Sequence, residues 1–461
     1  MEAAVAQVEA MLEQAQVPDS AVQAQITAQL DQLQAVPEFN QTVAHIFIRR
    51  TERPVEMRMA AGLLLKNNVR RQVHTMPPEL QAALKAELLA GVGDADARVR
   101  QTVGTCIATF ASAMGTHQEW LALWPDLVPT LSSHLGAATT PSGVEGALDC
   151  LSKICEEVPD RMVADDAKPL DVLLPQVFGL LQAEDENWRA YALGIINNFI
   201  WLDPPVLAQN MPTFLQALFA LTTDSSAKVR KHVIQGINFL LDMRFNDLLP
   251  HINGVIEFVL HSMQGPDAAV ALDATEFWDH VSERGASMDE QQLANDAIRP
   301  FLPRLVPVLL TGMVYDMDDA AMEFAEDDDA HVPDKEEDIA PATGRGGDQA
   351  EADDEEEEEE EDEDGGGVWN LRKASAAALD HLSKVFQQSV LDVLLPLIEQ
   401  LLQADDWQRR ETGPHLHRAA LKPCSGQCAP DIWTTVRVQG FWRSVRLLTA
   451  AAGSWSRTCR R

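Results

Sequence analysis

The sequence predicts an all-α fold in which helical hairpins stack side by side as a solenoid. Three observations predict it. Leu and Ala dominate the composition while aromatic residues make up only 6%, with two tyrosines. Apolar residues recur at helical spacing, and the same two-helix unit returns about every forty residues. At 461 residues the chain exceeds what one core usually holds, whereas in a repeat array each unit needs only its neighbours.

One hairpin is plain. Leu170, Leu173, Leu174, Val177, Phe178 and Leu181 form one apolar stripe. After the polar turn "AEDEN", Trp188, Tyr191, Ala192, Ile195, Ile196 and Phe199 form another. A lone hairpin would leave a stripe in water at about 1.5–3 kcal/mol per large apolar side chain, so adjacent hairpins must cover it. The pair recurs. First helices are marked by an apolar-Pro step at Pro125, Pro175, Pro212, Pro250, Pro303 and Pro396, with each proline expected near the helix start. Second helices open on a "VR"-like step at Arg58, Arg100, Arg189, Arg230, Arg372 and Arg410, with Glu145 and Ala271 at the matching points of weaker copies. Successive spacings are 42, 45, 44, 41, 41, 101 and 38 residues, the period of HEAT-type repeats. Ser142 and Glu145 also read as a capping box.

The 101-residue step marks an insertion. Pro303 and Arg372 stand 69 residues apart, against 14 to 21 in the other hairpins. The extra segment, 315–368, lacks apolar periodicity and is expected to be a disordered acidic loop within one repeat. Residues 315–364 hold 26 carboxylates against Lys335 and Arg345, so −24 of the net −35 lies in fifty residues. Its densest part is Glu351, Asp353, Asp354, Glu355, Glu356, Glu357, Glu358, Glu359, Glu360, Glu361, Asp362, Glu363 and Asp364. Lengthening a turn tenfold costs only about 2 kcal/mol of closure entropy, and mutual repulsion keeps the run extended. Such a segment repels nucleic acid and attracts basic partners.

Six cysteines without a dense even spacing fit a reducing compartment. No apolar stretch approaches the roughly 20 residues of a membrane span. Neither a phosphate-cradling glycine loop, a nucleophile elbow nor a histidine pair at metal spacing on one helix face is found, so neither an enzyme nor a cofactor is expected.

Three segments resemble the importin-β (karyopherin-β) family of nuclear transport receptors, in particular its transportin branch: "MRMAAGLLLKNNVRRQV" (57–73), "SSAKVRKHVIQGINFLLDMRFNDLLPHINGVIEFVL" (225–260) and "VWNLRKASAAALDHLSKVF" (368–386), the last directly after an acidic insert. The resemblance covers about residues 8–413. It implies a shuttling, monomeric receptor of nucleus and cytoplasm whose partners are Ran-GTP, cargo with basic proline-tyrosine nuclear localisation signals, and the phenylalanine-glycine repeats of nucleoporins. It implies Ran contacts at Lys66 and Asn67, the start of a cargo groove at Ala376, Ala377 and Asp380, and an acidic loop that releases cargo when Ran-GTP binds. From chemistry alone Leu63 to Leu65 are ordinary core, Lys66 is a solvated cation, and the alanines are a packed face beside an exposed Asp380. Two other functions stay open: a HEAT scaffold for a multi-subunit assembly, and an acidic chaperone for basic proteins.

The expected organisation is 1–314 as N-terminal repeats forming a Ran-binding arch, 315–368 as the acidic loop, 369–413 as further HEAT helices, and 414–461 as a divergent, disordered basic tail. Pro414 falls within an expected second helix, and beyond it eight Lys or Arg face the single acid Asp431. His415, His417, Cys424 and Cys428 in that tail match no zinc spacing, so no metal site is expected. Most of the cargo site would then lie outside this chain.

Overall fold

The computed structural model describes residues 2–16, 20–34, 36–114, 120–136, 140–283, 288–314 and 369–402. Among them every regular element is helical. The helices are α1 Glu2–Ala15, α2 Ser20–Leu33, α3 Pro37–Arg49, α4 Val55–Gln72, α5 Pro78–Gly91, α6 Ala97–Ala113, α7 Leu127–Leu135, α8 Pro141–Glu157, α9 Pro159–Ala164, α10 Pro169–Leu180, α11 Glu186–Asn197, α12 Pro205–Leu221, α13 Ala227–Met243, α14 Phe245–Leu248, α15 Ile252–Ser262, α16 Ala268–Glu283, α17 Met288–Ile298, α18 Leu302–Gly312, α19 Leu371–Phe386 and α20 Gln388–Leu402. None of them is long and apolar enough to cross a membrane.

Backbone contacts divide the chain into one unit of residues 1–313 with 331–396, and another of 314–330 with 397–461. Of the second unit only Val314 and the last turns of α20, 397–402, are described. In the first unit the second helices of successive hairpins pack in one row, α4 on α6, then α8, α11, α13, α16 and α19. First helices form the other layer, α1 on α3 on α5 and α7 on α10 on α12. Leu170, Leu173, Leu174, Val177 and Leu181 are buried together with Ala192, Ile195, Ile196 and Phe199. Trp188 and Tyr191 are half-buried. Neighbouring hairpins therefore cover the stripes, as the periodicity requires.

The row is locked where the sequence repeats its arginine. Arg58, Arg100, Arg189 and Arg230 are each the fourth residue of a second helix. Buried Arg58 pairs with Asp94 in the next hairpin's turn and donates Nε to the Phe47 carbonyl at 2.9 Å. Arg189 grips Asp224 with Nε at 2.7 Å and a terminal nitrogen at 2.9 Å, and reaches back to the carbonyls of Ala183 and Glu184. Such bidentate, desolvated pairs fix geometry because removing one partner strands the other charge. At Glu145 the sign reverses, and this carboxylate receives Arg100 of the preceding helix instead. Close approach is the second lock. A Cβ on Gly146 would stand 1.8 Å from the Val92 carbonyl oxygen, so only glycine fits there.

Two local expectations fail. Pro125, Pro250 and Pro303 do stand at helix entrances, but Pro175, Pro212 and Pro396 lie inside α10, α12 and α20, at the seventh, eighth and ninth residues. All three prolines are exposed, so the carbonyl each leaves unbonded faces water while the buried stripe holds the helix together. Nor does Ser142 cap α8. Pro141 occupies the first turn, so the cap falls before it: Thr140 Oγ1 accepts from Gly143 N at 3.2 Å.

The helices on either side of the long insertion form one hairpin. α18 packs on α19, and a Cβ on Gly312 would lie 3.4 Å from Cβ of Ser375. Among the described residues this is the eighth hairpin of the stack. The acidic residues 351–364, the expected helix opening at 403–413 and the tail with His415, His417, Cys424 and Cys428 lie outside the described residues.

Candidate functional site

The residues named from sequence fall on the outward faces of α4 and α19. In α4, Leu65 is fully buried, but Leu63 and Leu64 are only half-buried. Buried Asn68 donates Nδ2 to Asn40 Oδ1 of α3 at 2.8 Å, which sets the rotation of the helix. That rotation leaves Lys66 half-buried and turns Asn67, Arg70 and Arg71 outward. Beneath them Cys106 Sγ donates to the Gly62 carbonyl, and burial pushes its thiol up to about 12, so it is inert as a nucleophile.

In α19, Ala376 and Ala377 are half-buried and Asp380 is exposed, paired to Lys384 one turn on at 2.9 Å. Asn370 caps the helix by accepting from Lys373 N at 3.0 Å. Two contacts tie this helix to α16: His381 Nδ1 lies 3.0 Å from Asp279 Oδ1, and Trp369 donates its indole N–H to Glu276 Oε1 at 3.0 Å. One step back in the row, His280 meets Asp242 at 2.8 Å, and that carboxylate raises the imidazole above its ordinary range. The structure keeps the α4 and α19 sets apart, with α6, α8, α11, α13 and α16 between them.

Sequence reasoning missed three features. The first is Asp149 in "ALDCLSKIC", buried at the joint of α6, α8 and α11. Lys153 lies 3.2 Å from it, and Tyr191 donates to it at 3.4 Å. Burial outweighs both and raises the carboxyl to about 6. The second is a groove of about 510 Å³ between α12 and the α14 region, lined by Met211, Leu215, Phe219, Arg244, Asp247 and His251 among others. Its floor is apolar, the Phe219 and His251 rings lie 4.8 Å apart, and Arg244 on its rim is held by Asp247 and Asp203 at 2.7 Å each. The third is Trp369, which is 42% exposed. Only Trp369 had a signal, its place next to the α19 stripe. Among the described residues no group of three or more His, Cys, Asp or Glu side chains could hold a metal ion.

Comparison with known proteins gives these features a context. Residues 26–94 match the importin-β N-terminal domain. Mouse transportin-1 is 35% identical over 426 residues, covering 90% of this chain and 46% of its own. Two solved structures share the fold at 17–18% identity, each over 89% of this chain and 45% of its own: a complex of Kap95 with Nup1 at a TM-score of 0.62, and Kap95p with RanGDP at 0.61. The chain thus spans about half the length of the relatives it matches. Along some nine-tenths of its length the chain is similar in sequence to transportins and shares the fold of importin-β structures, and residues 26–94 match the importin-β N-terminal domain.

Proposed function

We propose that the chain is the Ran-binding portion of a nuclear import receptor of transportin type, shuttling between cytoplasm and nucleus. The observation that carries this reading is the pairing of α18 with α19 around the acidic insert. A fifty-residue anionic tether rooted in an intact hairpin adjoins the helix that bears Ala376, Ala377 and Asp380. Lys66 and Asn67 on the outward face of α4 contact Ran-GTP; the α19 stripe begins the groove for a basic proline-tyrosine signal; the loop excludes cargo when Ran is bound. Such exclusion is a coupling free energy, so cargo weakens Ran-GTP by the factor by which Ran-GTP weakens cargo. The groove beside Phe219 suits the phenyl ring of a nucleoporin phenylalanine-glycine repeat, a reading supported by its largely apolar lining. The neighbours solved with RanGDP and with Nup1 lend support from fold alone.

The test is retention of Ran on the immobilised chain. Ran loaded with a non-hydrolysable GTP analogue should be held, Ran-GDP should not, and Lys66→Glu should weaken retention. Equal retention of both nucleotide forms would favour a scaffold and remove the receptor reading.

A further inference from the structure

We propose that residues 438–449 form a capping helix over the open face of α20, in the place of the next hairpin's first helix. Among the described side chains of α20 only Val390 and Leu394 are buried, whereas Leu391 and Ile398 are half-buried and Leu395 is 41% exposed. Leu391, Leu395 and Ile398 follow one another at i, i+4 and i+7, so they form a second apolar stripe beside the buried one. Asp392 and Glu399, three before and four after Leu395, stand exposed along its edge. Elsewhere in this layer a first helix has neighbours on both flanks, as α10 has α7 and α12.

Three observations select the occupant. Spacing is the first. First helices of successive hairpins begin at Pro78, Leu127, Pro169, Pro205, Ile252 and Leu302, at intervals of 36 to 50 residues, and Val438 stands 50 residues after Gln388, where α20 begins. Periodicity is the second. Within the basic tail Val438, Phe441, Trp442, Val445 and Leu448 recur at i, i+3, i+4, i+7 and i+10, which places them on one face of a helix, with Gln439 and Arg443 on the other. Charge is the third. Arg437 and Arg446 stand four residues from Phe441 and Trp442 and so border that apolar face, as Asp392 and Glu399 border the one on α20. Carboxylates on one edge and guanidinium groups on the other fix which way the two faces meet. A stack of helical hairpins needs a terminal unit with a polar outer side, because an uncovered apolar face pairs with other copies. Arg443 and Gln439 supply that outer side, and the chain stays a monomer. The assignment stands apart from the Ran-binding reading, so either can fail alone.

The test uses the whole chain with p-benzoylphenylalanine in place of Leu395, an exposed position where a new side chain leaves the packing undisturbed. Irradiation and peptide mapping should join position 395 to residues 438–449 of the same molecule, in a yield unchanged by tenfold dilution. Phe441→Ser with Trp442→Ser should lower that yield at least about fivefold, since both rings leave the apolar face. Hydrogen exchange gives an independent reading: the amides of 441–449 should exchange at least about tenfold more slowly in the whole chain than in a synthetic peptide of residues 432–450. Cross-links that fall elsewhere in the chain, a yield that drops on dilution because the partner is a second copy, no cross-link at all, a yield indifferent to the Phe441 and Trp442 substitutions, or exchange as fast as in the peptide would each overturn the proposal.

Discussion

Asp149 gives the sharpest test of how the second-helix row is assembled. Its carboxylate is 4% exposed, and Oδ2 accepts no hydrogen bond among the described residues. Burial raises its pKa from 3.8 to about 6 despite Lys153 and Tyr191. A folded-state value above the unfolded one means that protonation stabilises the fold: that contribution is complete below about pH 4 and lost as pH rises through about 6. A shift of about two units corresponds to about 3 kcal/mol of destabilisation at neutral pH. Asp149→Asn removes the charge and keeps an acceptor for the Tyr191 hydroxyl. It should therefore match or exceed wild type at pH 7.5, with its advantage growing by about 1 kcal/mol between about pH 5 and pH 7.5. Urea unfolding followed by circular dichroism at several pH values measures the gap. If Asp149→Asn is less stable at pH 7.5 and parallels wild type across that range, the carboxylate is ionised and well paired, and the account of this joint is wrong.

Other outcomes follow from the same geometry. Arg189→Ala should cost about 3–5 kcal/mol by stranding Asp224 in the adjoining turn, read as a lowered urea midpoint. Gly146→Ala should destabilise by at least about 1–3 kcal/mol, since its methyl would meet the Val92 carbonyl. Cys106, Cys150 and Cys155, whose thiols burial pushes up, should resist iodoacetamide at pH 8 in the native protein and react in urea, as mapped by mass spectrometry. In a full-length receptor, deleting residues 320–364 should leave Ran-GTP and cargo affinities nearly unchanged and abolish release of cargo by Ran-GTP.

The sequence carried the period because burial is periodic: an apolar face that must meet two neighbours leaves its mark every three or four residues, and Arg58, Arg100, Arg189 and Arg230 return at each hairpin. Helix ends were less legible. Pro175 and Pro212 read as starts because proline usually is one, yet packing of Leu173, Val177, Phe214 and Leu218 overrides that preference and keeps the solvent-side break. The partners of the ladder, Asp94 and Asp224, could not be chosen among many turn carboxylates before the stacking was known. For the same reason Asp149 and the groove beside Phe219 left no trace, since both arise between helices whose contact is set in three dimensions. Ala376, Ala377 and Asp380 were singled out only through resemblance, because two alanines and a carboxylate are common on any helix.

The account depends on α18 and α19, on either side of residues 315–368, pairing as one hairpin. Replacing Gly312→Cys and Ser375→Cys together tests it most directly, because the two Cβ positions lie 3.4 Å apart, close to the separation a disulfide spans. Mild oxidation followed by non-reducing peptide mapping should recover a 312–375 cross-linked peptide from nearly every molecule, in the whole chain and equally after deletion of 320–364. Two free thiols that never join would contradict it.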